Sequence, residues 1–352
     1  MIHFRPLSLV SGAMNFKQAC LPIFSLWVMA AAAAIALGAA PAARAQTATT
    51  AAGPAWPNKP VKVIVNFPPG SSPDVIGRVI SIPLQEALGQ PVLLENRAGA
   101  SGMIGAEAAA KAPADGYTLL MTAGSVVAIN PHLYTGMSFD PGKDLVPVAA
   151  TARIVLFLLA KPSLPSNNIR EFLAYLKANP GKLSYGSAGN GSGPHIAAEM
   201  LKSQAGVFAV HVPYRGAAPA LQDLLAGQID FYFDPGIGLA HVRAGRLKLL
   251  AVGRLGRSSQ FPDVPTLDEA GLKGFDGGTT HALYAPAGTP ADVVGRLNRE
   301  INRILGTPEV RAVIAGIGAE PTPMSPAELE ATMKEDGNRY GAIIKERSIK
   351  AD

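Results

Sequence analysis

Residues 61–89 read VKVIVNFPPGSSPDVIGRVISIPLQEALG, and this stretch decides the fold class. Its first part, 61–67, is a β-branched and apolar run that predicts a buried strand, which the turn Pro68-Pro69-Gly70 ends. From Pro73 to Leu88 apolar residues recur at helical spacing, and Gly89 stands where a glycine commonly ends a helix. The stretch therefore predicts a strand, a tight turn and a helix in direct succession.

Strands and helices continue to alternate outward from this stretch. A first unit is completed by strand 92–95, helix 102–111 and strand 117–122. A second unit follows in the order helix 169–178, strand 182–186, helix 194–205, strand 209–212, helix 217–226, strand 229–233 and strand 247–252. Because alternation of this kind generates parallel sheets covered by helices, we predict an α/β protein with two such cores.

The domain organisation follows from where the two units begin and end. The apolar run 148–160 lies between the units and is too long for an average strand, so it is predicted to cross from one domain to the other. A strand at 282–285 and two or three helices follow the second unit. The prediction is a discontinuous domain 1 (46–152 and 253–352) that encloses a continuous domain 2 (153–252), with two crossing segments.

The first 45 residues have the pattern of a cleaved secretory signal. Basic residues open this segment, residues 21–40 are apolar, and Ala43-Arg44-Ala45 is a small-x-small cleavage site. Met14 is an alternative start, since the segment beginning there has signal-peptide proportions by itself. The single cysteine, Cys20, precedes the apolar stretch, so the mature chain would have neither a disulfide nor a lipid anchor. We expect a soluble protein of the periplasm.

Charge and composition argue against a nucleic-acid partner. The net charge of +5 falls to +2 when the three basic residues of the signal leave, because no acidic residue leaves with them. A nearly neutral chain without basic runs does not fit nucleic-acid binding.

Three strand-to-helix turns are candidate binding loops: Pro68–Asp74, Gly186–His195 and Val212–Ala217. Such turns place N–H donors and a helix N-terminus at the carboxyl edge of a sheet, where an anion is favoured. The second turn has four glycines and two serines in ten residues, which indicates a nest of backbone donors. For the first turn a ligand site and a simple helix cap both remain open. Arg215, in the third, could pair with a ligand carboxylate or form a surface salt bridge.

These loops lack the common catalytic and metal motifs. The dinucleotide spacing G-x-G-x-x-G fails because Pro194 stands at its last glycine. The nucleophile elbow G-x-S-x-G is not formed around Ser187 or Ser192. His195 and Glu199 lie one helical turn apart, but two residues do not make a zinc site. We therefore predict no catalytic residue, no cofactor and no metal.

Two aspartates and two histidines are open to more than one interpretation. Asp74 and Asp234 each follow a strand and could be paired catalytic carboxylates, but nothing in the sequence sets their separation. The alternative is that Asp74 supports its own helix N-terminus and Asp234 contacts ligand, water or the opposing domain. His195 is expected to line the cleft or cap its helix, and His211 to lie in the core.

Seven longer motifs follow one another along the chain: WPNKPV at 56–61, FPPG at 67–70, VLLENRAGA at 92–100, ADGYTLL at 114–120, LSYGSAGNG at 183–191, HVPYRG at 211–216 and LYAPAGTP at 283–290. Together they resemble the substrate-binding receptors of tripartite tricarboxylate transporters, the Bug or TctC family. The likeness covers about residues 56–350. It implies a two-lobed periplasmic binding protein fold of type II, in which loops of both lobes enclose a carboxylated solute.

Carried over by position, the resemblance implies a ligand-binding set from both lobes. Domain 1 would contribute Pro69, Gly70, Ser71, Ser72, Asp74, Thr122, Ala123, Gly124 and Ser125. Domain 2 and its edges would contribute Ser187, Ala188, Gly189, Ser192, His195, Tyr214 and Asp234, and His281 completes the set.

Three departures from the family pattern lie near this expected cleft. Ser71-Ser72-Pro73 replaces consecutive glycines and a threonine, Pro235 replaces the usual Asn after Asp234, and Thr280-His281-Ala282 replaces a Trp-Phe-Gly segment. They leave the identity of the acid open.

The predicted function is capture of a mono-, di- or tricarboxylic acid by hinge closure, followed by delivery to a membrane permease. The acid and the permease are the expected partners, and the chain is expected to act as a monomer without nucleic acid. Two alternatives remain. One is a sensory receptor that presents its ligand state to a membrane kinase, and the other is a secreted hydrolase that uses Ser192 or His195 in the same cleft.

Overall fold

The computed structural model describes residues 56–346 and 348–350. The predicted signal peptide at 1–45 and the alternative start at Met14 lie outside these residues. Within the described ranges, no helix combines the length and the hydropathy needed to cross a membrane.

The elements in chain order are β1 (Val61–Val65), α1 (Ser72–Leu88), β2 (Val92–Asn96), α2 (Met103–Ala110), β3 (Thr118–Thr122), α3 (Ser125–Ala128), α4 (Asn130–Leu133), α5 (Pro141–Asp144), β4 (Leu145–Ile154), β5 (Phe157–Ala160), α6 (Ile169–Ala178), β6 (Ser184–Ser187), α7 (Gly193–Ala205), β7 (Val210–Pro213), α8 (Ala217–Leu225), β8 (Phe231–Asp234), α9 (Leu239–Arg243), β9 (Lys248–Val252), β10 (Thr279–Pro286), α10 (Ala291–Leu305), α11 (Pro308–Gly316), β11 (Glu320–Pro321) and α12 (Pro326–Glu346).

The first sheet, with the helices on it, forms lobe 1. Its strand order is β11-β4-β10-β3-β1-β2. β1 is parallel to β2 and β3, whereas β10 is antiparallel to β3 and β4. Alternate residues of β1 enter different cores, as the period of a strand requires. Val63 and Val65 share a core with apolar residues of α1 and α10, and Ile64 shares one with α2 and α12. Lobe 1 is therefore a sheet covered by helices on both faces.

The second sheet forms lobe 2 with the same layering. Its order is β7-β6-β8-β5-β9, with β6 parallel to β7 and β8, and β5 antiparallel to β8 and β9. Tyr185 and Phe231 pack with residues of α6 and α7, while Phe157 and Tyr232 pack with residues of α8 and α9.

Two segments cross between the lobes. The apolar run 148–160 is divided between β4 in the first sheet and β5 in the second, and the chain returns between β9 and β10. This confirms the predicted two-lobed α/β fold with two crossings. The predicted domain boundaries at residues 152/153 and 252/253 stay predictions.

Local signals placed the main helices correctly. α1 begins after Ser71, has Pro73 in its first turn and ends at Gly89, whose φ of 68° is left-handed. Three helices follow β10, in agreement with the two or three expected. β10 begins at Thr279, three residues before the predicted strand, which brings His281 into the sheet. The four- and five-residue helices α3, α4, α5 and α9 were not predicted, because they are too short to show a helical repeat.

Candidate functional site

Strand direction brings the candidate loops together. Parallel strands end at the same sheet edge, so the turns after β1 and β3 are neighbours in lobe 1 and those after β6 and β8 are neighbours in lobe 2. β10 runs the other way, and Ala282 pairs with Thr122 at the end of β3. The first residues of β10 therefore join the loop cluster.

A cavity of about 40 Å³ lies between these loops, room for roughly three water molecules. Lobe 1 and the crossing segment contribute residues from the turns after β1 and β3 and from β10: Phe67, Ser71, Ser72, Pro73, Ala123, Ser125, Ile154, Leu156, Thr279 and His281. Lobe 2 contributes residues from the turns after β6, β7 and β8: Ala188, Ser192, Gly193, Pro194, Ala217 and Pro235. Much of the wall is apolar, and its polar groups are mostly hydroxyls.

The wall residues of this cavity, all in the described part of the chain, include no Lys, Arg, Asp or Glu. The one ionisable side chain among these wall residues is that of His281, which is 3% exposed. Desolvation by burial lowers the pKa of His281 to about 3, so the imidazole is neutral at physiological pH. The cavity thus offers hydrogen bonds rather than a charge.

His281 forms hydrogen bonds to α1 and to β4. Its Nε2 lies 2.8 Å from the Ser72 hydroxyl, and its carbonyl accepts a hydrogen bond of 2.9 Å from the Thr151 hydroxyl. The register of β10 against β4 shifts between His281 and Ala282, leaving Thr151 as the extra residue of a bulge. Bulges often re-aim side chains beside functional sites, and here the bulge accompanies the entry of His281 into the wall.

Asp74 organises the turn after β1. Asp74 Oδ2 accepts hydrogen bonds from the Gly70 N–H (2.9 Å) and Arg78 Nε (3.0 Å), and Oδ1 accepts one from Asn96 (2.8 Å). Burial alone would raise the pKa of the Asp74 carboxyl, but the bonds from Arg78, Gly70 and Asn96 hold it below its usual value. Asp74 is absent from the cavity wall and supports its own helix N-terminus. The sequence had left this role open beside that of a catalytic carboxylate paired with Asp234.

The glycine-rich turn after β6 uses its donors internally. The Gly189 N–H donates to Ser187 Oγ (3.1 Å), and the Gly191 N–H donates to His195 Nδ1 (3.1 Å). The Ser192 N–H donates to the Gly189 carbonyl (3.1 Å). The N–H groups of Gly189, Gly191 and Ser192 therefore do not form the predicted nest of free donors. Side chains and a carbonyl of the same loop accept their hydrogen bonds.

Two histidines, His195 and His211, pack against each other and contact this turn. The His195 ring stacks on His211 with centroids 4.3 Å apart, and His211 stacks on Tyr185 at 4.8 Å. His211 Nε2 lies 2.7 Å from Ser187 Oγ. Burial, together with His195 and Lys202, lowers the pKa of His211 to about 3, so this ring is neutral. His195 thus accepts a hydrogen bond from its own loop and is not on the cavity wall, and His211, which was expected in the core, lies in a half-buried stack.

Tyr214 and Arg215 are not on the wall of the cavity. They line a neighbouring groove with Gly189, Pro68 and Ser101. The Tyr214 hydroxyl donates to Asp223 (2.6 Å), and burial with this contact raises its pKa to about 12. Arg215 is exposed.

Asp234 closes the turn that follows β8. Its Oδ2 accepts hydrogen bonds from the N–H groups of Gly236 (2.7 Å) and Gly238 (2.9 Å). Burial raises the pKa of Asp234 to about 7, against the opposing effect of these two donors. The cavity wall includes its neighbour Pro235 but not Asp234 itself.

The lobes touch around the cavity. The Asn190 carbonyl of lobe 2 accepts hydrogen bonds from two hydroxyls of lobe 1, those of Ser101 and Tyr134, the latter at 2.6 Å. A Cβ on Gly236 would lie 1.6 Å from the Ile317 carbonyl oxygen, so the two backbones meet where only glycine fits. These contacts describe a closed cleft.

Seven residues of the predicted ligand-binding set lie on the cavity wall, where their contact with a ligand stays a prediction: Ser71, Ser72, Ala123, Ser125, Ala188, Ser192 and His281. The other ten are not on it: Pro69, Gly70, Asp74, Thr122, Gly124, Ser187, Gly189, His195, Tyr214 and Asp234. Several of these hold the loops in place. Thr122, for example, accepts a hydrogen bond from Asn66 (2.9 Å) and donates to the Ala123 carbonyl.

The remaining wall residues were not in the predicted ligand-binding set. Pro73, Gly193, Pro194 and Ala217 nevertheless lie within the three candidate loops, so the turn motifs held a signal for them. Ile154 and Leu156 belong to the crossing segment, whose apolar composition indicates only burial. The contacts of Ser101 and Tyr134 with Asn190 join segments far apart in sequence, and no local pattern announces them.

Catalytic and metal arrangements are incomplete at this site. Ser72 and His281 are paired as a nucleophile and base would be, but His281 Nδ1, where a triad has its carboxylate, has no partner within the described ranges. Ser192 Oγ likewise has no partner there, so it is not bonded to His195. The described residues contain no group of three or more His, Cys, Asp or Glu side chains that could hold a metal ion.

Comparison with known proteins fits this geometry. A family model described as "Tripartite tricarboxylate transporter family receptor" matches residues 76–349. The protein BugT of Bordetella pertussis is 36% identical over 298 residues, which are 84% of this chain and 91% of BugT.

Solved structures give the same result. Rpa4515 of R. palustris with adipate aligns with a TM-score of 0.81 and 33% identity, over 84% of this chain and 99% of that one. MatC from Rhodopseudomonas palustris with bound malate aligns with a TM-score of 0.78 and 32% identity, over 82% of this chain and 100% of MatC. The family is one of solute-binding receptors and not of enzymes, so the hydrolase alternative falls. Because the family model covers most of the sequence and these relatives align over nearly their whole length, this chain belongs to the receptor family of the tripartite tricarboxylate transporters.

Proposed function

We propose that this chain is a periplasmic receptor that captures a small carboxylate between its lobes and delivers it to the permease of a tripartite tricarboxylate transporter. The cavity carries this proposal. It is enclosed by loops of both lobes and lined by hydroxyls and one neutral imidazole, which suit hydrogen bonding to a carboxylate that a small, largely apolar space shields from water. Relatives that hold adipate and malate support the same class of ligand.

Capture would proceed by closure. A ligand that contacts both lobes stabilises the closed form by the contacts that the open form lacks. The Asn190 carbonyl with its two hydroxyl donors from lobe 1 would add to this preference. The closed surface would then be what the permease recognises.

Calorimetric titration of the mature chain with a panel of small organic acids, each beside its primary amide, tests carboxylate capture. We expect at least one acid to bind while its amide does not. Ala217→Leu should abolish this binding, because Ala217 is 4% exposed and lies on the cavity wall, where the larger side chain fills the space. Ala240→Leu, on an exposed position of α9, is the matched control and should bind normally. Binding that survives Ala217→Leu would place the ligand elsewhere.

Export and delivery need their own measurements. Cleavage after Ala45 predicts that the chain recovered from the periplasm begins at Gln46. Uptake of the bound acid should stop when the gene for this chain is deleted and return when the wild-type chain, but not Ala217→Leu, is restored. Uptake that does not depend on the chain would remove the transport role.

A further inference from the structure

Two residues of the cavity wall, Ser192 and His281, each have a buried polar atom that indicates how a ligand is held. Ser192 Oγ comes from lobe 2 and His281 Nδ1 from lobe 1, and neither has a hydrogen-bond partner in the part of the chain that the structure describes. Ser192 is 2% exposed and His281 is 3% exposed. Buried polar atoms are nearly always paired, so unpaired atoms on two residues of one cavity wall are candidates for contact with a ligand.

The pairing of His281 with Ser72 determines which of these atoms can donate. The described residues offer the Ser72 hydroxyl hydrogen no acceptor except His281 Nε2, 2.8 Å away. When the hydroxyl donates to Nε2, the proton of the neutral ring lies on Nδ1. His281 Nδ1 is then a donor, as is the hydroxyl of Ser192. Both unpaired atoms can therefore act as hydrogen-bond donors.

The rest of the wall restricts what else the ligand can carry. Phe67, Ile154, Leu156, Ala188 and Ala217 form much of it, and no cation is among the described wall residues. A second carboxylate enclosed here would lose its water and gain no charged partner, which is costly. A space of roughly three waters is filled by a compact acid of about three to five carbons.

We propose that the cavity takes an aliphatic monocarboxylate of roughly three to five carbons, whose carboxylate accepts hydrogen bonds from His281 Nδ1 of lobe 1 and Ser192 Oγ of lobe 2. This rests on the proposed carboxylate-receptor function and specifies its ligand. Because the two donors belong to different lobes, one carboxylate joins them and favours closure.

Butanoate and succinate distinguish the two classes of acid, since both have four carbons and differ in the number of carboxylates. At pH 8, where both acids are fully ionised, calorimetry of the mature chain should give butanoate at least a roughly tenfold lower Kd. Tighter succinate binding would overturn the monocarboxylate assignment and leave the carboxylate receptor intact. Binding only of acids larger than pentanoate would overturn the size. Failure of every acid to bind would contradict the receptor function itself.

Variants with matched controls test the two donors. Ser192→Ala and His281→Phe should each weaken butanoate binding roughly 10- to 100-fold, because each removes a hydrogen bond to a charged group. Ser166→Ala is the control for the first, since Ser166 is 1% exposed, its Oγ also lacks a partner, and it does not line the cavity. Tyr284→Phe is the control for the second, on the same strand and with an equally unpaired hydroxyl off the wall. Both controls should stay within about twofold of wild type, a difference too small to represent a lost hydrogen bond.

Two further measurements distinguish the loss of a hydrogen-bond donor from a change in side-chain packing. Nitrogen NMR of the His281 ring should place its proton on Nδ1, and a proton on Nε2 would contradict the assignment. His281→Gln serves as a second variant should His281→Phe not fold, and it should weaken binding similarly because the amide cannot reproduce both ring nitrogens. Unchanged butanoate affinity in Ser192→Ala, or equal losses in the controls, would also overturn the proposal.

Discussion

Asp234 is a buried carboxyl whose titration we expect to see in the stability of the protein. Its side chain is fully buried at the end of β8, Oδ2 accepts two backbone N–H bonds, and Oδ1 has no partner among the residues described. Burial raises its pKa from 3.8 to about 7. The native state therefore retains a proton at Asp234 over a pH range in which the unfolded chain has released it.

The sign of the effect follows from this difference. The stability that Asp234 contributes is complete below pH 3.8, falls as the pH rises, and is lost above about 7. The full shift is worth roughly 4 kcal/mol, of which roughly 2 kcal/mol disappears between pH 5 and pH 7. Asp234→Asn removes the titration, while its amide oxygen can still accept the two N–H bonds.

Urea unfolding of wild type and Asp234→Asn across pH 5 to 8 measures this difference. We expect the stability of the wild type relative to the variant to fall by roughly 2 kcal/mol from pH 5 to pH 7 and to level off above that. Any constant cost of the amide shifts the curve without changing its slope. Asp263→Asn, at an exposed position, is the control and should keep the wild-type pH dependence. Curves of wild type and Asp234→Asn that run parallel would refute the buried proton.

Three further predictions concern other contacts. Tyr134→Phe removes a hydrogen bond that joins the closed lobes and should weaken ligand affinity by about 1 kcal/mol, roughly fivefold, in calorimetry; unaltered affinity would mean that the contact does not favour closure. Asp336→Ala should lower the free energy of unfolding by about 3 kcal/mol, because Asp336 is 5% exposed and pairs with both Arg153 (3.0 Å) and Arg339 (2.7 Å); a loss under about 1 kcal/mol would contradict this pairing. Ala100→Gly should raise stability by about 1 kcal/mol in urea unfolding, since Ala100 is exposed and has a left-handed φ of 45°; a lower stability would show that the backbone is not strained there.

The architecture was predictable where sequence patterns repeat. Helical spacing with a terminal glycine identified α1, and the excess length of the apolar run 148–160 revealed the first crossing. Both signals arise from the burial of neighbouring residues, so they can be recognised in the sequence before the fold is known. The short helices α3 and α9 leave no such pattern, because a single turn contains too few residues to repeat.

The site was less predictable because hydrogen-bond partners compete for the same donors. The sequence shows that Gly189 and Gly191 have N–H groups near a helix N-terminus, which is a sound reason to expect an anion. It does not show that Ser187 and His195 accept from those groups first. The N–H groups of Gly189 and Gly191 therefore hold the shape of the turn, and it is the Ser192 hydroxyl of this turn that we propose contacts the ligand.

His281 shows which kind of polar atom is left for a ligand after the donors and acceptors of the protein have paired with one another. Its position was flagged by a departure from the family pattern, but its partner Ser72 lies 209 residues earlier and its exposure to the cavity accompanies a bulge opposite Thr151. Neither the partner nor the bulge has a local signal. A polar atom that finds no partner in its own fold is the one most available to a ligand, since pairing it there recovers the cost of its burial. By this reasoning His281 Nδ1 and Ser192 Oγ carry the selectivity of the cavity, whereas Gly189, one of the four glycines of the predicted nest, lets the loop lie close to Ser101 of the opposite lobe.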